Sequence, residues 1–145
     1  MEIQVKWLYK NKAFKKIPKN CFGFIYKITN IETNEFYIGS KQFYFISNKI
    51  MSKKKKLEYL NETGLRRKKI KHIKESDWMS YISSSKKVQA MIVQNPNIFK
   101  FEVLELFETK SEMLLTEAVM IGKEFLKRNS LLLNDWLSVR CQKLK

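Results

Sequence analysis

Residues 22–40 read FGFIYKITNIETNEFYIGS, and the alternation in this stretch decides the fold. Phe22, Phe24, Tyr26 and Ile28 fall on one face of an extended chain, Gly23 and Ile25 on the other. That is the two-residue period of a strand. Thr33 and Asn34 are turn formers, and FYIGS follows as a second short strand. The stretch is an antiparallel hairpin.

Downstream, Ser83, Ser84 and Ser85 offer caps for a helix over 86–94 with Val88, Met91 and Ile92 as its apolar stripe. Asn95-Pro96-Asn97 stops it. The β-branched and aromatic run IFKFEVLELF predicts a third strand over 98–107. Ser111 then caps a long helix over 112–128, whose apolar side carries Met113, Leu114, Ala118, Ile121 and Phe125. The tail LLLNDWLSVR is apolar enough to pack back on the core. The order is β-β-α-β-α. It predicts a small single α+β domain over 1–145, with a three-stranded mixed or antiparallel sheet flanked by helices. Residues 1–20 read as a basic arm carrying Trp7, Tyr9 and Phe14, and 42–75 as a Lys-rich insertion with a helix-forming stretch divided at Gly64.

Composition supports one globular domain: of 145 residues, 44% are hydrophobic and 13% aromatic, which excludes global disorder. No apolar run approaches the roughly 18 residues of a membrane span. The first residues lack a hydrophobic signal core, so a cytoplasmic chain is expected. Cys21 and Cys141 with the single His72 are too few soft ligands for structural zinc, and both thiols are expected reduced and mostly buried.

Charge is distributed unevenly. The chain holds 29 Lys and Arg against 14 Asp and Glu. Residues 1–75 hold 19 basic and 6 acidic groups, whereas 76–145 hold 10 and 8. The basic groups concentrate in Lys53, Lys54, Lys55 and Lys56 and in Arg66, Arg67, Lys68 and Lys69. A polyanionic partner follows, nucleic acid before a membrane surface, because the basic stretch lacks a facing apolar stripe.

Glu117 is out of place for a plain core. It lies four residues after Met113 and four before Ile121, which puts its carboxylate inside the apolar stripe. Either it sits at the stripe's edge and pairs with Lys123 or Lys127, or it serves a metal or a donor network.

Two tyrosines, in Phe24-Ile25-Tyr26 and in Tyr37-Ile38-Gly39, stand eleven positions apart on neighbouring strands. With Glu117 and Asn134 following in order, the chain resembles the GIY-YIG nucleases, in particular their small free-standing phage-type members. The first tripeptide departs from the family pattern, reading FIY with Gly23 one position earlier. The resemblance implies a divalent-metal-dependent DNA endonuclease, and thereby DNA as partner. It implies Tyr26 as general base, Tyr37 in the water and phosphate network, and Glu117 as the sole protein ligand of one Mg²⁺, for which Mn²⁺ would substitute. Asn134 matches the family's late Asn, a positioning residue beside the nucleic acid. The family's phosphate-contacting cation is not obvious here; Lys41, directly after YIGS, is the first candidate and Arg66, Arg67 and Lys68 the others. Lys53–Lys56 would carry phosphate affinity. Double-strand cleavage by a one-site nuclease needs two copies, so a homodimer is a candidate arrangement. If phage-encoded, the protein would act in the host cytoplasm. The alternative is a basic nucleic-acid-binding module without catalysis.

Overall fold

The structure, a computed structural model, describes residues 3–137. Its strands and helices are β1 Trp7–Tyr9, β2 Lys12–Ala13, β3 Gly23–Asn30, β4 Phe36–Gln42, β5 Tyr44–Ile50, α1 Lys53–Thr63, β6 Lys69–Glu75, α2 Lys86–Gln94, β7 Phe99–Phe107 and α3 Lys110–Leu126. They form two compact units, Met1–Phe43 with Asp77–Lys145, and Tyr44–Ser76.

The first unit is an α+β domain on a mixed sheet of order β2-β1-β7-β3-β4. The class agrees with the sequence reading, but the sheet has five strands rather than three. The added strands come from the residues expected to form a basic arm. Their anchor is Trp7, which sits opposite Phe101 where β1 runs parallel to β7. Its buried ring meets Phe24, Tyr26 and Phe101 at centroid distances of 5.2, 5.5 and 5.4 Å, and its indole N–H donates to the Trp78 carbonyl at 2.9 Å. Strands of three and two residues are too short to show a period, so tertiary packing alone reveals them.

The hairpin pairs β3 with β4 so that Tyr26 lies opposite Gly39 and Phe24 opposite Lys41. Its turn is held by Asn30, whose Oδ1 accepts from the amides of Glu32 at 2.9 Å and Thr33 at 3.2 Å. Asn34 takes the left-handed conformation, φ 63°, which asparagine tolerates. β7 pairs with the other side of β3, with a register shift between Ile25 and Tyr26. Bulges of this kind re-aim side chains beside functional sites.

Two cores cover the sheet. Phe24, on the Tyr26 face of β3, meets Phe14, Phe43 and Trp78 in tilted and edge-to-face contacts, the geometry that ring quadrupoles favour. On the other face, Ile25 and Ile38 pack with Phe107 and with Met113 and Ile121 of α3. α2 starts as expected, Ser85 Oγ accepting from the Val88 amide at 3.4 Å. α3 starts earlier than expected: its cap is Thr109, which accepts from the Glu112 amide at 3.3 Å, and not Ser111.

In the second unit β5 and β6 form an antiparallel two-stranded ribbon. α1 between them ends at Gly64 (φ 70°), whose amide donates to the Leu60 carbonyl at 2.8 Å. The helix stop was legible; the flanking strands were not, because neither has a side dry enough to separate apolar from polar residues. Among the described residues, no helix is long and apolar enough to cross a membrane. Cys21 is a free, half-buried thiol whose pKa is raised by burial; Cys141 lies outside the described residues, as does the tail beyond Leu137.

Candidate active site

The site straddles β4, the last strand of the sheet. Because side chains alternate across a strand, Tyr37, Gly39 and Lys41 emerge on the face of Tyr26, and Ile38 and Ser40 on the face of α3. Residues beyond α3 line the free edge. The Phe36 amide donates to the Leu131 carbonyl at 2.9 Å, and the Leu133 amide to the Phe36 carbonyl at 2.7 Å. Asn134 continues this pairing with its side chain: its Oδ1 accepts from the Ile38 amide at 3.0 Å and its Nδ2 donates to the Ile38 carbonyl at 2.8 Å. Asn134 thus locks the centre of the YIG tripeptide, a positioning role that a hydrophobic residue or a charge could not fill.

Glu117 emerges between Met113 and Ile121, both buried in the core. Its carboxylate meets neither Lys123 nor Lys127 but accepts from the Ser40 hydroxyl; Lys127 pairs with Glu124 instead. Burial pushes the Glu117 carboxyl up from its ordinary range, and the Ser40 hydrogen bond partly offsets that. A cleft of about 420 Å³ brings Glu117 together with Tyr37, Asn134, Ser84 and Lys86. Among the described residues, no three His, Cys, Asp or Glu side chains gather into a larger metal cluster. One carboxylate opening on a cleft that also presents Tyr37, Ser84 and Asn134 fits an ion that keeps most of its water, and Mg²⁺ is such an ion.

On the opposite face, Tyr26 is fully buried, its ring 6.2 Å from Tyr37 and 5.9 Å from Tyr81. A Cβ at position 39 would fall on the Tyr26 hydroxyl. The glycine of YIG and the tyrosine of the first strand are therefore a matched pair. The hydroxyls of Tyr81 and Ser83 are near enough to influence Tyr26, yet neither meets it in hydrogen-bond geometry. Burial, with Tyr81 and Tyr37 adding to it, raises the Tyr26 pKa well above that of a free phenol. Tyr37 is the tyrosine that opens on the cleft, its hydroxyl 3.2 Å from Ser84 Oγ.

Lys41 belongs to the same face. Its Nζ is 2.6 Å from Asp77 Oδ1 and 4.1 Å from the centroid of the Tyr81 ring, and the hydrogen bond from Lys41 lowers the Asp77 pKa. Tyr81 and Ser83 were not singled out as site residues from sequence. Ser83 carried a signal that only coordinates reveal: it is buried with φ 140°, a strained backbone of the kind that collects at functional sites. Lys53, Lys54, Lys55, Lys56, Arg66 and Arg67 all lie in the second unit.

The tyrosine pair, the carboxylate and the asparagine occur in the order that the sequence resemblance requires. Residues 7–132 match the family model described as "Putative endonuclease segE, GIY-YIG domain". The chain belongs to the GIY-YIG endonuclease family. No curated protein and no solved structure matches it. The family match starts at Trp7, the residue that anchors β1, so it includes the two strands that the sequence reading left outside the sheet.

Proposed function

We propose that this GIY-YIG protein is a magnesium-dependent DNA endonuclease that hydrolyses phosphodiester bonds in the cleft beside β4. The observation that carries the reading is the convergence of Glu117 and Tyr37 on one cleft from different elements. A half-buried carboxylate with a raised pKa costs stability unless something uses its charge. Glu117 would hold the ion. When bound, hydrated Mg²⁺ supplies Lewis acidity to a phosphate oxygen and acidifies a coordinated water.

The chain's own residues then orient the reaction. Ser40 fixes the Glu117 carboxylate, and Asn134 fixes the strand that carries Tyr37. Tyr37 hydrogen-bonds in the network of the attacking water. Tyr26 stands behind it, its ring packed between Tyr37 and Tyr81, and would serve as the general base that the family resemblance implies. Lys41, bracketed by Tyr81 and Asp77, is the cation of this face, and a phosphate competing with Asp77 would draw on it. DNA is thereby the partner and the cytoplasm the place of action; a double-strand break requires two copies of the single cleft, as in a homodimer.

Plasmid nicking with and without Mg²⁺ tests the proposal. Wild-type protein should nick only with the metal, Mn²⁺ should substitute, and Glu117→Gln should bind DNA without nicking. DNA binding by wild type with no cleavage in either metal would leave a binding module in place of an enzyme. For Lys41→Met, the single-turnover rate at saturating DNA should fall about 100-fold, the typical effect of removing one group that stabilises developing charge. Normal cleavage at saturation would move the catalytic cation elsewhere.

A further inference from the structure

The second unit is built against its own stability. It holds 11 Lys and Arg and 3 Asp and Glu, and α1 buries no residue. Lys53–Lys56 occupy the first turn of that helix, which holds no acidic residue and where the helix dipole disfavours positive charge. An isolated two-stranded ribbon is itself marginal in water. The charge of this unit favours a polyanionic partner.

The register of the ribbon says more. Across β5 and β6, Tyr44 faces Glu75 at the ribbon's base, and beyond it Ile46 faces Ile73, Asn48 faces Lys71 and Ile50 faces Lys69. These side chains share one face. A solvated face would be uniformly polar, and a core face uniformly apolar. This one is mixed and open: Ile46, Ile73 and Ile50 are 46%, 59% and 76% exposed. On the other face, where Ser47 faces His72, Phe45 and Ile70 are 44% and 40% exposed. Isoleucines flanking an amide and an ammonium match what base edges in a major groove display: thymine methyls beside hydrogen-bonding edges of adenine and guanine. The groove of B-DNA, about 12 Å wide, admits a two-stranded ribbon.

We propose that Tyr44–Ser76 is a duplex-DNA reader, with the Asn48–Lys71 face of the β5–β6 ribbon in the major groove and Lys53–Lys56 on flanking phosphates. The inference rests on DNA being the substrate class and adds the source of sequence preference. A membrane surface fits less well, because four consecutive lysines surround the first turn of α1 and leave no apolar stripe to enter a bilayer. A second copy fits less well because two strongly basic units repel.

The test uses the full chain and a duplex selected from a random library, with a scrambled duplex as reference. Guanine N7 methylation should interfere with binding at a few positions. The double substitution Asn48→Ala and Lys71→Ala should remove that pattern and weaken the selected duplex at least about tenfold more than the scrambled one. Changing Lys53–Lys56 to Gln should weaken both alike. The proposal is overturned if N7 methylation has no effect, if the double variant weakens both duplexes equally, if phosphatidylserine vesicles outcompete the selected duplex, or if Ile73→Ser dissolves a dimer without touching preference. Metal-dependent cleavage without base preference would overturn this inference alone. Absence of cleavage with intact, methylation-sensitive binding would overturn the nuclease reading alone.

Discussion

The two units use the same kinds of residue to opposite ends. In the first, Phe24, Tyr26, Trp7 and Trp78 are buried in edge-to-face contacts. In the second, Phe45, Ile46, Ile50, Leu57, Leu65, Ile70 and Ile73 are exposed on a unit rich in Lys and Arg. Hydrolysis needs groups held within a fraction of an ångström, which only a packed core provides. Binding a polymer of phosphates needs charge and area, and tolerates mobility until the partner arrives. A change in the first unit should therefore move rate and stability, and one in the second should move affinity alone.

The sharpest way to break that comparison is Glu117→Gln. Activity should fall about 1,000-fold or more, as expected on losing the group that holds the Lewis acid. Stability should not fall with it. Burial raises the folded-state pKa of Glu117 above its unfolded value. Its favourable contribution is therefore present below the unfolded pKa, about 4.3, and is lost as pH rises through the folded value. At pH 7 the glutamine variant should melt higher than wild type, and the gap should close as pH falls toward 4. Thermal melts across that range check it; a lower melting temperature at pH 7 would make Glu117 a structural residue.

Next comes the second unit. Exchanging Lys53–Lys56 for Gln should not lower the melting temperature, since α1 buries nothing and the lysines stand where the helix dipole disfavours them. The salt slope of binding should flatten by about 0.9 for each lost phosphate contact. Titrations between low and moderate salt read this directly. An unchanged slope would reduce the lysine run to a solvated face.

Gly39→Ala is a smaller effect with a narrow cause. The new Cβ would collide with the Tyr26 hydroxyl and ring, and overpacking of this sort costs about 1–3 kcal/mol. Denaturant unfolding measures it, and a neutral result would mean that Tyr26 moves aside at no cost. Tyr26→Phe is the subtlest change. It removes a buried hydroxyl that has no hydrogen-bond partner, so stability should rise by about 1 kcal/mol while single-turnover cleavage slows. A rise in stability at full rate would show the hydroxyl to be dispensable.

Sequence alone determined the parts of this protein that rest on short-range periodicity. Alternation from Phe22 to Ser40 gave the hairpin, Ser85 and Pro96 bounded α2, and the four-residue spacing of Met113, Glu117 and Ile121 put a carboxylate among apolar neighbours. Tertiary structure decided what lies beyond that range. Trp7 turned an apparent arm into two strands because its indole found Trp78, seventy-one positions away. Glu117 took Ser40 rather than a lysine on its own helix, because helix and strand meet there. The pairing of Asn134 with Ile38 and the fit of Gly39 under Tyr26 are likewise contacts between separate elements. No spacing along the chain encodes them, since they depend on which faces the buried aromatic and aliphatic side chains bring together.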